Sequence, residues 1–75
     1  MYDSEKIAER ITLMAKAQKI TLRSLLSACS LGVNTISELR KGREISFASL
    51  ALIAAQLGCS VDYLLGRTDN PQINR

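Results

Sequence analysis

Helix start and stop signals punctuate this chain too closely for anything but short helices. Asp3 or Ser4, Thr21, Ser46 and Ser60 can each accept the free amides of a helix start. Gly42, Gly58 and Gly66 stand where a helix can end in left-handed backbone. Between these marks apolar residues recur at helical spacing, as in Ile7, Ile11 and Met14 with Ala8 and Ala15 beside them. No stretch alternates like a strand, and the single proline, Pro71, lies near the end. The pattern predicts five helices: one opening near residue 3 or 4, then residues 22–29, 33–41, 47–57 and 61–65. Residues 1–66 read as one domain and residues 67–75 as a polar tail. Short helices joined by tight connections make a compact all-α bundle.

Size limits what can hold such a bundle together. The chain has 75 residues, and domains usually exceed roughly 50, so a second domain has no room. Natural folds this small often rely on disulfides, metals or oligomers. There is no histidine, and Cys29 and Cys59 are the only cysteines, short of the four ligands of a structural zinc site. Both lie among apolar neighbours, where a buried reduced thiol is the ordinary outcome. No metal site is expected, which leaves oligomerisation as the support to look for.

Catalysis, export and membrane insertion find no footing. Without histidine there is no Ser-His or Cys-His activation. The seven carboxylates show no motif spacing, and there is no Gly-rich phosphate loop, so no catalytic residue, cofactor or small-molecule ligand is expected. The longest mostly apolar stretch, residues 48–57, is half the roughly 20 residues a spanning helix needs. Charges interleave at the N-terminus with no apolar core after them, unlike a signal peptide. These features predict a cytoplasmic protein with no membrane partner.

The net charge of +3 conceals an asymmetry. Lys16, Lys19, Arg23, Arg40, Lys41 and Arg43 face Glu38 alone within residues 16–43, whereas the flanking segments are slightly acidic. The excess therefore lies on the second and third helices and their edges. Two short helices joined by a tight turn can present the second to a DNA major groove, and phosphate contacts need cations nearby. A solvated basic face with no partner is the plain alternative.

Two further blocks carry a resemblance. Ile36-Ser37-Glu38-Leu39-Arg40-Lys41-Gly42 is similar to a T-I-S-x-I/L-E-x-G recognition-helix ending. Residues 50–66, from Leu50-Ala51-Leu52-Ile53-Ala54 through Gly58-Cys59-Ser60-Val61-Asp62-Tyr63-Leu64-Leu65-Gly66, are similar to L-x-x-I-A-x-A-L-G-V-S-x-D-Y-L-L-G. Together they resemble the Cro/repressor type of helix-turn-helix domain, the XRE-like transcriptional regulators, over about residues 7–71. The resemblance implies a lambda-repressor-like five-helix fold with helices two and three as the helix-turn-helix. It also implies a sequence-specific binder of double-stranded DNA, usually a homodimer and most often a repressor on a pseudo-palindromic operator.

Carried over position by position, Gly32 falls at the cap of the recognition helix. Val33, Asn34, Thr35 and Glu38 fall where family members meet base edges or nearby phosphates. Thr21, Lys41 and Arg43 fall where the backbone is gripped, and the basic Arg23 is a further phosphate candidate by its charge. Asn34 is the best base reader, because its amide can pair with adenine N6 and N7. Glu38 can accept from cytosine N4 or pair with Lys41 at i+3.

The departures are informative. Leu22 stands where Gln is common. Ser30 stands where the turn usually has Gly, so a positive φ there would be strained. Val33 has no hydrogen-bonding group for a base. Arg40 and Ala15 replace a customary ion pair. A protein–protein interaction module on the same scaffold, with little base readout, is therefore the alternative function.

Leu25, Ile36 and Leu39 are expected in the core. In the fourth helix Phe47, Leu50, Ala51, Ile53, Ala54 and Leu57 share one face at 100° per residue, while Leu52 lies opposite. The surface around Leu52 and Tyr63 is thus a candidate dimer interface, unless the C-terminal tail covers it.

Overall fold

The computed structural model describes residues 3–68 and contains five helices there. They are α1 (Ser4–Ala17), α2 (Leu22–Ala28), α3 (Thr35–Arg40), α4 (Phe47–Leu57) and α5 (Val61–Leu65). Four open as the start signals predict. Asp3, Thr21, Ser46 and Ser60 each accept a backbone N–H with their side-chain oxygen, from Glu5, Ser24, Ser49 and Tyr63 respectively.

The closures share one geometry. Each helix ends in a left-handed residue flanked by two backbone hydrogen bonds that turn the chain back on itself, the Schellman arrangement. The longer bonds run from Ile20 N–H to Ala15, Leu31 to Leu26, Arg43 to Glu38, Cys59 to Ala54 and Arg67 to Asp62. Glycine supplies the left-handed residue at Gly42, Gly58 and Gly66, with φ of 89°, 67° and 83°. Lys19 and Ser30 supply it after α1 and α2, with φ of 59° and 57°. Ser30 therefore holds the positive φ that the sequence suggested, and Lys19 holds one it did not flag.

These reversals gather the apolar faces into one core. Ile7, Ala8, Ile11 and Ala15 come from α1, Leu25 and Leu26 from α2, and Ile36 and Leu39 from α3. Leu50, Ile53, Ala54 and Leu57 come from α4 and Leu64 from α5, and Cys29 and Cys59 complete the core. Among the described residues no polar or charged residue is buried. The core positions expected for Leu25, Ile36 and Leu39 are borne out. Both cysteines are free thiols, as expected, and burial pushes their pKa above the ordinary value.

Helix α1 packs against α3 and α5, and α2 packs against α4. Arg10 adds a polar tie. Its guanidinium donates to the carbonyls of Tyr63 at 3.0 Å and Thr68 at 2.9 Å, and lies 4.6 Å from the Tyr63 ring centroid. Gln18 reaches across to the Leu57 carbonyl at the end of α4.

Two expectations need correction. The third helix begins at Thr35 rather than at residue 33, and its N-cap is Asn34 rather than Gly32. A turn precedes it, closed by Thr35 N–H and Thr35 Oγ1 donating to the Gly32 carbonyl at 3.1 and 2.7 Å. Phe47, expected to face inward, is 73% exposed. It is the first residue of α4, and helical side chains lean toward the N-terminus, so its ring projects past the packed turn.

Backbone strain makes these reversals testable. A Cβ added at Gly58 would meet nothing within 4 Å, so Gly58→Ala isolates the φ penalty. Urea unfolding should show a loss of about 1–2 kcal/mol. Ser30→Gly should show a gain of up to about 1 kcal/mol from relief of the same strain. Equal stability of both variants with the parent would show that these positions store no strain.

Candidate nucleic-acid interface

The short span of α3 leaves one side against the core and the other in solvent. Ile36 and Leu39 are buried, whereas Val33, Asn34, Ser37, Arg40 and Lys41 are exposed. Three of the four expected base readers, Asn34, Thr35 and Glu38, line one shallow groove of about 330 Å³ with Gly32, Glu44 and Ser46. Val33 sits beside it in the preceding turn, 63% exposed.

What each side chain can offer follows from its local bonds. Asn34 occupies the N-cap, yet its side chain makes no capping bond, so its amide is not spent on the helix. Thr35 donates its hydroxyl proton to the Gly32 carbonyl, which leaves its oxygen lone pairs and methyl group for a ligand. Thr21 Oγ1 accepts from Ser24 N–H, so its own proton is available to a phosphate oxygen. Arg23, the second residue of α2, is exposed.

Glu38 is the largest departure from expectation. Its partner is Arg43, with Nε 2.6 Å from Oε2, and not Lys41. Lys41 has no ion pair among the described residues and extends into solvent at the end of α3. The cause lies in the backbone. The reversal at Gly42 brings Arg43 N–H to the Glu38 carbonyl at 3.0 Å and stacks the two side chains. In a Schellman turn these two positions commonly make a hydrophobic contact. Here, and again at Asp62 and Arg67 (3.7 Å), an ion pair takes its place. The repeated spacing was readable beforehand: an acid, three residues, glycine, arginine.

Arg40 makes no ion pair among the described residues, as the absence of the customary partner suggested. Its guanidinium donates to Thr12 Oγ1 at 3.3 Å on α1. This contact turns one of the six cations toward the body of the protein. Lys41 and Arg43 remain exposed beside α3.

Leu52 is half exposed on the outer side of α4, with Ala48 and Ala55 also exposed. Tyr63, its expected companion, faces α1 and lines a different groove with Lys6, Glu9, Arg10 and Leu13. Whether residues 69–75 cover Leu52 falls outside the described residues.

The arrangement is a short helix with a solvent-facing polar edge, held on a helix-turn-helix and flanked by cations. Residues 10–70 match the family of Cro/C1-type HTH DNA-binding domains. The chain belongs to that family. No curated protein and no solved structure matches the chain. A Cro/C1-type domain binds DNA. No helix among the described residues is long and apolar enough to cross a membrane.

The Glu38–Arg43 pair should contribute little to folding. Its side chains are 39% and 74% exposed, and exposed pairs are worth at most about 1 kcal/mol. Thermal unfolding of Arg43→Gln should therefore stay within that margin of the parent. A much larger loss would make the pair a structural element of the fold.

Proposed function

We propose that this domain is a dimeric transcriptional repressor that acts inside the cell by occupying an operator overlapping a promoter. Asn34, Thr35 and Glu38 meet base edges from the groove along α3, and the Val33 methyls pack on a thymine methyl. Thr21 and Arg23 at the start of α2, with Lys41 and Arg43 after α3, take phosphates. The observation that carries this reading is the exposed, unspent amide of Asn34 at the leading end of α3. An amide that capped its own helix would have little left for adenine.

Dimerisation fits the limited readout of a single protomer. Two copies joined through the exposed face of α4 around Leu52 would set two recognition helices one DNA turn apart, about 34 Å. Their operator would be pseudo-palindromic. Repression by occupancy needs no catalytic step.

The second reading, a protein–protein module with little base readout, draws on one observation. Val33 places a 63% exposed apolar side chain on the surface that would enter DNA.

A salt titration on random duplex DNA separates the two. Three or four phosphate contacts per protomer predict log K falling with a slope of about −3 to −4 against log salt. The Lys41→Ala, Arg43→Ala double variant should lose affinity and flatten the slope. Asn34→Ala should cost about 1–3 kcal/mol on a selected operator and little on random sequence. Absence of binding at low salt would favour the partner-protein reading. Light scattering tests the interface: Leu52→Asp should halve a dimeric mass, and an unchanged dimer would exclude Leu52 from the contact.

A further inference from the structure

Glu38 and Arg43 belong to two different tasks in the reading above, yet the fold ties them together. Resting on that reading, we infer that Arg43 is a positioning residue. Its guanidinium bridges the base-reading carboxylate of Glu38 to a backbone phosphate, so that base contact and phosphate contact form as one unit.

Three observations support the bridge. First, the tie is set by the backbone. Arg43 N–H donates to the Glu38 carbonyl at 3.0 Å, and Gly42 at φ 89° fixes the reversal between them. Second, the carboxylate is asymmetric. Oε2 is shut off from solvent and lies 2.6 Å from Arg43 Nε, off the N–H axis, with no hydrogen bond of its own. The side chain as a whole is still 39% exposed, and Oε1 is the oxygen left to accept from a cytosine amino group. Third, the Arg43 side chain is 74% exposed although Nε is engaged. Its terminal nitrogens are the part of the fork left to meet a phosphate.

The physical need for such a bridge is plain. A bare carboxylate entering a groove between phosphates is repelled, and that repulsion opposes any bond it makes to a base. A guanidinium between carboxylate and phosphate offsets both charges, and its planar fork can serve the two at once. A lysine in its place would keep the charge but lose the fork. Arg43→Lys therefore separates bridging from simple attraction.

The experiment selects bound sequences from a random duplex library with the full chain, then repeats it for Glu38→Gln, Arg43→Lys and Arg43→Gln. Affinities are measured on the selected operator and on random duplex, and circular dichroism shows that each variant is folded. The bridge predicts that Glu38→Gln and Arg43→Lys both erase the preference for cytosine at the same operator position. Arg43→Lys should weaken operator binding at least about fivefold more than it weakens binding to random duplex. Glu38→Gln combined with Arg43→Lys should lose no more on the operator than either alone.

Two outcomes would overturn the bridge while leaving the DNA-binding function standing. One is a cytosine preference lost in Glu38→Gln but intact in Arg43→Lys. The other is an Arg43→Gln loss equal on operator and random DNA, which would make Arg43 an ordinary phosphate contact. An unchanged selected sequence in Glu38→Gln would remove Glu38 from base readout and the bridge with it. A parent protein that selects no sequence at all would instead sink the regulator reading itself.

Discussion

Short helices cannot stand by themselves in water, because nucleation is costly and only a few hydrogen bonds reward it. Among the described residues the longest helix has 14 residues and the shortest five. Their survival depends on the left-handed reversal that ends each of them. It satisfies carbonyls that would otherwise be orphaned, and it folds the chain back so that each apolar face meets the others. The core, the orientation of α3 and the Glu38–Arg43 pair all follow from that repeated turn. Where glycine makes the turn it adds no strain. At Lys19 and Ser30 an L-residue makes it, and the surrounding packing must hold it there.

The same turn settles the electrostatics of the edge along α3. Of the cations that cluster in the middle of the sequence, Arg40 is drawn to Thr12 and Arg43 to Glu38, while Lys41 stands clear. A count of charges treats these residues as equals, but the fold gives each a different freedom. The net positive field is therefore less uniform than the composition suggests, with Lys41 its most independent source beside α3.

Much of the architecture was legible in the residues. Capping side chains at Thr21, Ser46 and Ser60 and stops at Gly42, Gly58 and Gly66 mark local events, decided by a few neighbouring atoms, and they fell where the pattern placed them. The start of α3 was harder, since Gly32 to Thr35 can form either a helical turn or a tighter one. The Thr35 hydroxyl decided between them. Phe47 misled because helical periodicity describes direction around an axis and not position along it. The partner of Glu38 was misassigned because i+3 pairing assumes the helix continues, and here it stops at residue 40. The family match covers the scaffold; the roles of individual edge residues rest on their own geometry.

Among the described residues the interior holds only apolar side chains, whereas six of the ten residues along the α3 groove are polar. The two sets meet at Leu31, Leu39 and Ile45. Such a division lets the polar edge vary without reworking how the chain folds. Changes confined to Val33, Asn34 and Ser37 would alter the chemistry of that edge while leaving the buried Ile36 and Leu39 in place.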